Sequence, residues 1–250
     1  MIKFWTSAPG PLSLGAASAQ GLRMADALCR ALQGALMLLL FLCDVGLYAQ
    51  SVREQEIAQC LPGEIGTWGD GRDRPVGKSA LVFVYDHSAA PEWFSHEQVL
   101  AAVQKSASAW GACGVPNTVQ VFSVDTPLPE GAVVVQWSEM NSGGNFAQAD
   151  LGRGLLAMSP AMFRLLNTRN PAHDARETLQ MVIAHEMGHH FGLMAHSRRC
   201  VDVTSYYNNG QGERCFTRDG NPPRPGVEYR ATLPTACDIA RCIQANGPKP

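Results

Sequence analysis

The segment IAHEMGHHFGLMAHS, at residues 183–197, constrains the fold more than any other part of this chain because it carries two histidines, His185 and His189, four residues apart. On a helix, side chains at this spacing project from one face about one turn from each other. Asp174, followed three residues later by a glutamate, has the pattern of a capping box, and apolar residues then recur at helical spacing. Gly192 tolerates the left-handed backbone that commonly ends a helix. The sequence therefore predicts a capped helix with both histidines on one side.

The two histidines are suited to bind one metal ion. Imidazole nitrogens at this spacing can reach a common ion at about 2.0–2.1 Å, the distance typical of zinc. Glu186, next to the first histidine, is placed to take a proton from the water that attacks a carbonyl and then to protonate the leaving amine. A catalytic zinc site needs a third protein ligand and leaves its fourth position open.

The third ligand is expected to be His196, which follows the glycine on a turn. An acidic residue farther along the chain is the alternative, and the candidates are Asp202, Glu213 and Glu228. His190 lies on another face of the helix, so it is expected to support the site from outside or to lie at the surface.

Shorter patterns predict the other elements. Apolar, β-branched runs indicate strands at 80–86, 118–124, 132–137 and 155–159. Ser95 and Gln98 have the pattern of a capping box and open a helix that ends at Trp110, and a short helix is expected at 237–244. The stretch 138–154 is polar and glycine-bearing, which is typical of a loop. This order of elements predicts one α+β domain with a mixed sheet over 80–250, preceded by a segment at 50–79 without clear periodicity.

The first 49 residues are expected to be a signal peptide. An apolar run at 35–43 follows arginines and precedes small residues, with cleavage expected near Ala49. A start at Met24 would give a signal of ordinary length. A membrane anchor is the alternative, but Asp44 interrupts the run well short of the roughly 18 apolar residues that a span needs.

Cysteine usage agrees with export. Outside the predicted signal there are six cysteines, an even number that favours three disulfides in an oxidising compartment: Cys60, Cys113, Cys200, Cys215, Cys237 and Cys242. Six cysteines allow 15 pairings, which the sequence does not separate. A zinc–thiolate site is the alternative, but no C-x-x-C pair occurs in the chain.

The stretch ETLQMVIAHEMGHHFGLMAHS resembles the active-site helix of the metzincin zinc endopeptidases, and of their matrixin-like branch in particular. The family pattern H-E-x-x-H-x-x-G-x-x-H is matched position for position by His185, Glu186, His189 and Gly192. His196 stands one residue later than the pattern places its last histidine. A one-residue insertion after a glycine turn is tolerable because a loop has no helical period to keep. The likeness covers about 80–210 and is specific over 177–197.

The resemblance implies a metzincin-like zincin domain, with a twisted mixed sheet, the active-site helix and the long helix ending at Trp110 behind it. The strand at 155–159 would then be the edge strand that pairs with an extended substrate. The family's methionine turn is present only in outline, since DVTSYY has Thr204 where the methionine would stand. Tyr206 would match the tyrosine that stabilises the oxyanion in some members.

Two cysteine assignments follow from the same comparison. ACGVPN, at 112–117, is similar to the cysteine switch of matrixin propeptides, but it lies downstream of the first strand and helix, so we favour Cys113 as a disulfide partner, with Cys60 the candidate. The loop after His196, stapled through Cys200 and Cys215, would form the wall of the substrate pocket.

Together these features predict a secreted zinc-dependent endopeptidase that acts on extended polypeptide, with Zn²⁺ as cofactor and a monomeric state. A formal net charge of −2 and a pI near 6.4 give no indication of a nucleic-acid partner. Two alternatives stay open. One is a zinc-binding module that has lost efficient catalysis, and the other is a disulfide-stabilised domain without metal.

Overall fold

The apolar runs form a five-stranded mixed sheet in the computed structural model, which describes residues 52–224 and 226–247. Its strands are β1 (Leu81–Tyr85), β2 (Asn117–Val121), β3 (Val133–Trp137), β4 (Ala147–Asp150) and β5 (Leu155–Met158). The strand order is β2-β1-β3-β5-β4, and all neighbours are parallel except the antiparallel pair β4 and β5. The predicted α+β class with a mixed sheet is confirmed.

The described helices lie before, between and after these strands. They are α1 (residues 52–58), α2 (His96–Trp110), α3 (Glu139–Ser142), α4 (Pro160–Arg169), α5 (Ala175–His190) and α6 (Ala236–Asn246), with a short 3₁₀ turn at Gly111–Cys113. Ser95 and Gln98 form the expected capping box of α2. Asp174 caps α5 by accepting a hydrogen bond from the amide of Arg176, so the N-cap was predicted correctly although the structure shows no reciprocal glutamate contact.

The core joins α2, α5 and the sheet. Trp110 is fully buried at the end of α2, and its indole nitrogen donates a 2.8 Å hydrogen bond to the carbonyl oxygen of Ala184 on α5. The indole ring stacks on Phe191, whose ring in turn stacks on Phe83 of β1. The long helix therefore holds the histidine-bearing helix against the sheet, as the sequence predicted.

The prediction that the strand at 155–159 lies at the edge of the sheet is wrong. β5 lies inside the sheet, between β3 and β4, and the edge is β4, within the stretch that was expected to be a loop. The sequence of β4, AQAD, is short and only weakly apolar, and its strand conformation depends on pairing with β5 across the turn at 151–154. The same stretch also contains α3.

Helix α4 was also missed, although its start carries a readable pattern. Ser159 is the N-cap and accepts a hydrogen bond from the amide of Met162, and Pro160 occupies the first turn, where proline costs no helical hydrogen bond. Phe163 of α4 is fully buried and packs edge-on against Trp137 and Phe94.

The described chain contains three disulfides: Cys60–Cys237, Cys113–Cys242 and Cys200–Cys215. The prediction of three disulfides and the pairing across residues 200–215 are confirmed. The pairing of Cys113 with Cys60 is wrong, because the 3₁₀ turn that carries Cys113 packs against α6, which brings it to Cys242.

The segment before β1 belongs to the same compact unit as the rest of the described residues. Cys60, which follows α1, ties this segment to α6. The predicted signal peptide at 1–49 lies outside the described residues. Within the described ranges, none of the helices combines the length and apolar character that crossing a membrane requires.

Candidate metal centre

Three histidine side chains meet at the C-terminal end of α5. His185 and His189 project from neighbouring turns of the helix, and His196 comes from the turn that follows it. One ligand nitrogen from each ring lies within 4.8 Å of the other two. The ring centroids are 5.3 Å apart for the helical pair, and 5.1 and 5.0 Å from His196 to His185 and His189.

Gly192 allows the chain to turn back so sharply. Its φ of 99° is in the left-handed region, and a Cβ atom on it would lie 2.2 Å from the carbonyl oxygen of Arg74. A side chain at this position would therefore be strained and would also collide with backbone. The glycine predicted to end the helix does so, and it also allows another part of the chain to approach closely.

Each of the three rings has its Nδ1 engaged by an acceptor. The Nδ1 of His185 is 2.7 Å from the carbonyl oxygen of Val203, and that of His189 is 2.7 Å from the carbonyl oxygen of Leu193. The Nδ1 of His196 is 2.7 Å from a carboxylate oxygen of Asp70. Because carbonyl and carboxylate oxygens only accept, each Nδ1 carries the proton and each Nε2 lone pair is available to a metal.

Burial keeps these imidazoles neutral, which is the form that binds metal. Desolvation lowers the pKa of His185 well below its usual value and lowers that of His189 to about 4. Desolvation also lowers the pKa of His196, against the opposing effect of the Asp70 carboxylate. Three neutral imidazoles with fixed tautomers are a donor set that fits zinc.

Among the described residues, none of the acidic alternatives for the third ligand belongs to the histidine cluster. Asp202 is buried and accepts 2.6 Å hydrogen bonds from the hydroxyls of Ser197 and Thr235. Glu213 pairs with the side chain of Asn209, and Glu228 with that of Arg230.

Glu186 lies beside the histidines and faces the edge strand. Its Oε2 accepts a 2.8 Å hydrogen bond from the amide of Ala149 in β4. Desolvation raises the pKa of the carboxyl to about 7, although the hydrogen bond from Ala149 acts in the opposite direction. A carboxyl with this pKa can both accept and release a proton near neutral pH.

A groove of about 740 Å³ opens over these side chains. The edge strand β4 borders it on one side, and residues of the segment 206–230 border it on the other. The three histidines, Glu186 and Tyr206 all line this groove. It is therefore a cleft in which a main chain could lie along a sheet edge beside the histidines.

Thr204 packs beneath the histidine helix. Its Cγ2 would be 3.0 Å from a Cβ atom on Gly188, and its hydroxyl donates a 2.6 Å hydrogen bond to Asp238 of α6. The preceding carbonyl, of Val203, is the one that accepts from His185. The residue in the expected methionine position therefore occupies the floor of the site, where it joins the floor to α6.

Tyr206 lies against the third histidine. Its ring centroid is 4.3 Å from that of His196, and its hydroxyl donates to Asp70. Burial and the neighbouring carboxylate both raise the pKa of the phenol, so the hydroxyl keeps its proton. The predicted site residues His185, Glu186, His189, His196 and Tyr206 are thus brought together around one point.

The contribution of Asp70 was not foreseen, and that of His190 was left open between two alternatives. Asp70 lies in the segment 50–79, which was described only as lacking clear periodicity, and its polar, glycine-bearing sequence gives no pattern that relates it to a residue 126 positions later. His190 is buried, not at the surface, and its Nε2 is 3.2 Å from the carbonyl oxygen of Leu155 in β5. It therefore fastens the helix to the sheet.

Comparison with known protein families and with curated proteins returns no match. Among solved structures, the fold is similar to a chain of the "GM1 bound form of the ECX AB5 holotoxin", with 12% sequence identity, a TM-score of 0.40, and coverage of 76% of this chain and 92% of that one. A similarity at this TM-score carries no weight for fold family or function.

Proposed function

We propose that this protein is a zinc-dependent endopeptidase of the metzincin type, close to the matrixin-like branch. The observation that carries the proposal is the set of three imidazoles whose Nδ1 atoms all contact acceptors, next to a partly buried glutamate at the edge of an open groove. His185, His189 and His196 would hold the zinc ion. Zinc in such a site supplies a Lewis acid that polarises a carbonyl and makes water a stronger nucleophile near neutral pH.

Glu186 is the proposed general base and acid. Its carboxylate takes the proton of the attacking water and later passes it to the nitrogen of the leaving amine, so the proton count is unchanged over the cycle. The raised pKa of about 7 favours both halves of this exchange. The hydrogen bond from Ala149 holds the carboxylate at the groove instead of letting it turn towards solvent.

The substrate is proposed to be an extended polypeptide bound against β4. An edge strand leaves one row of main-chain donors and acceptors without a partner strand, which lets a peptide add itself to the sheet. The small side chains of Ala147 and Ala149 line the groove and leave room for a second backbone.

Tyr206 is proposed to stabilise the oxyanion that forms at the scissile carbonyl. Its hydroxyl is protonated, lies at the groove and is held by Asp70 in the free protein. Rotation about its side-chain bonds would direct the same proton towards the groove, where a hydrogen-bond donor stabilises the developing negative charge.

The three disulfides support export to an oxidising compartment, so we propose a secreted protein. We also propose that it acts as a monomer. A zinc-binding module without efficient catalysis remains the second candidate. It is favoured by the threonine in the methionine position and by the Tyr206 hydroxyl already bonded to a carboxylate.

Measuring zinc content and peptide cleavage in four proteins tests the proposal: the parent, Glu186→Gln, His196→Ala and the matched surface control Glu213→Gln. We expect Glu186→Gln to keep one zinc per chain and to lose about 10²–10⁴-fold in kcat, because the ligands are intact but the proton acceptor is gone. His196→Ala should lose both zinc and cleavage, and Glu213→Gln should match the parent.

A Glu186→Gln protein that cleaves at the parent rate would contradict the proposed mechanism. A parent that binds zinc tightly but cleaves none of a diverse set of peptides would favour the binding module. Loss of zinc in Glu213→Gln, with zinc kept in His196→Ala, would place the third ligand outside the histidine cluster.

A further inference from the structure

The turn that carries His196 is held by a segment that precedes β1 in the sequence. We call this segment, residues 66–74, the strap. The amide of Trp68 donates a 3.0 Å hydrogen bond to the carbonyl oxygen of His196, and the amide of Arg74 donates a 3.0 Å bond to that of Gly192. Thr67 and Ser197 also form an antiparallel bridge. The strap thus runs along the whole turn from the glycine to the residue after the histidine.

The strap also explains how the turn accommodates its additional residue. Asp73 Oδ1 accepts from the amides of Met194 and Ala195, at 2.8 and 3.1 Å, and the same carboxylate pairs with Arg241 at 2.7 Å. Two backbone donors in a tight turn would otherwise lack partners, which is costly for partly buried amides. The additional residue is therefore stabilised by a carboxylate that is anchored on α6.

Close contact between strap and turn depends on Gly71. A Cβ atom at this position would lie 2.2 Å from the carbonyl oxygen of Met194 and 3.0 Å from the amide nitrogen of Ala195. Both are backbone atoms, so no side-chain rotation could relieve the overlap. Gly66, also in the strap, would place a Cβ atom in ordinary contact, 3.9 Å from the ring of Phe216.

Asp70 bonds to the third histidine at two points. One carboxylate oxygen accepts the amide of His196 at 3.0 Å, and the other accepts its Nδ1–H at 2.7 Å. The second oxygen also accepts the hydroxyl of Tyr206. The contacts to the amide and the ring fix both the backbone position and the ring orientation, so the Nε2 of this ring is directed at those of His185 and His189.

We propose that Asp70 is a positioning residue for the third metal ligand: it holds the tautomer and direction of His196, and the strap is thereby a structural part of the metal site. This inference rests on the zinc site of the proposed function and extends it. His185 and His189 use backbone carbonyls for the same purpose. Of the three histidines, His196 is the one whose Nδ1 contacts a carboxylate.

The test measures zinc affinity by competition with a chromophoric chelator, together with the visible spectrum of the Co²⁺-substituted protein. The variants are Asp70→Asn and Gly71→Ala, with Asp125→Asn and Gly152→Ala, both outside the strap, as matched controls. We expect Asp70→Asn to weaken zinc binding about 10–100-fold, as loss of a partner to a metal-bound histidine typically does, and to shift the Co²⁺ bands. Gly71→Ala, which keeps the carboxylate but displaces the strap, should have the same two effects, and both controls should match the parent.

Parent affinity and an unchanged Co²⁺ spectrum in Asp70→Asn, with circular dichroism showing a folded protein, would overturn the positioning role. If Asp70→Asn does not fold, Gly71→Ala decides the matter by the same two readouts. If the parent and both variants bind zinc and cleave peptides equally well, the proposed function stands and only this inference fails. A parent that binds neither Zn²⁺ nor Co²⁺ removes both.

Discussion

At the scale of single residues, this site shows how the neighbours of an ionisable group determine its protonation state. The three clustered histidines are desolvated and lose proton affinity, whereas Glu186 is desolvated and gains it. The rule is the same in both cases, because burial disfavours whichever form carries the charge. Neutral imidazoles and a carboxyl near neutral pKa are what zinc binding and proton transfer require.

The carboxyl of Asp202, a buried residue outside the histidine cluster, shows the same effect of burial on pKa. Burial, and secondarily the charge of Asp238, raise its pKa to about 7. The folded protein therefore holds this proton more tightly than the unfolded chain, in which an aspartate titrates near ~3.9. The stabilisation is fully present below about pH 4 and is lost as the pH rises through about 7.

We predict that Asp202→Asn removes this dependence. The unfolding free energy of the parent minus that of the variant should fall by on the order of a few kcal/mol between about pH 4 and pH 8. Urea unfolding of the two proteins across this range measures the difference, and titrations common to both cancel. A difference that stays constant or rises with pH would show that Asp202 is ionised throughout.

At the scale of elements, the histidine helix α5 is confined between α2 and the turn at 203–206. Gly188 lies at the tightest point, where a Cβ atom would be 2.9 Å from Cζ2 of Trp110 and 3.0 Å from Cγ2 of Thr204. The glycine costs some helix propensity but lets both neighbours approach. Trp110 on one side and Thr204 on the other therefore set the position of α5, and with it that of His185 and His189.

The variant Gly188→Ala should separate the effect of helix propensity on stability from the effect of core packing. Alanine favours a helix by up to about 1 kcal/mol, but overpacking in a closed core typically costs about 1–3 kcal/mol, so we expect net destabilisation. We also expect weaker zinc binding, because the helix must move relative to the turn. Thermal unfolding and zinc competition measure the two effects, with Gly152→Ala as the control in an open turn where the nearest contact is 3.5 Å. A variant that is more stable than the parent and has the same zinc affinity would show that Trp110 and Thr204 can move aside at little cost.

At the scale of the whole molecule, two of the disulfides join α6 to earlier parts of the described chain, and the third closes a short loop after His196. Cys60–Cys237 joins the chain before the strap to α6, over 177 positions, whereas Cys200–Cys215 closes a loop of 15. Arg199 lies fully buried near the first of these bridges and pairs with Glu56 and Glu64. The first bridge thus holds the segment that carries Asp70 against the C-terminal helix.

Replacing each of these two cysteine pairs by alanines should show how the length of the closed loop affects stability. In the chain-entropy account, opening the long loop costs on the order of 5 kcal/mol and opening the short one about 3 kcal/mol. We therefore expect Cys60→Ala/Cys237→Ala to lose more unfolding free energy in urea than Cys200→Ala/Cys215→Ala, and to lose zinc affinity as well. The reverse order of stabilities would mean that native contacts near residues 200–215, not chain reach, dominate the effect of the bridges.

The sequence by itself determined those features that depend on residues within one helical turn or one helix cap of each other. The pairing of His185 with His189, the neighbouring Glu186, the stop at Gly192 and the cap at Ser95 all depend on short spacings, and the described structure has each of them where it was expected. The even cysteine count likewise predicted three disulfides, because it needs no knowledge of the chain path.

Only the tertiary structure decided the contacts between residues far apart in the chain. The bond from Asp70 to His196, the partner of Cys113 and the edge position of β4 all depend on how separate segments pack, and no local pattern records that. β4 in particular owes its conformation to pairing with β5, since AQAD has too little β-propensity to predict a strand. His185 and His189, the first two proposed ligands, could be found in the sequence because a helix orders them, whereas Asp70 lies on another segment and is brought to His196 only by folding.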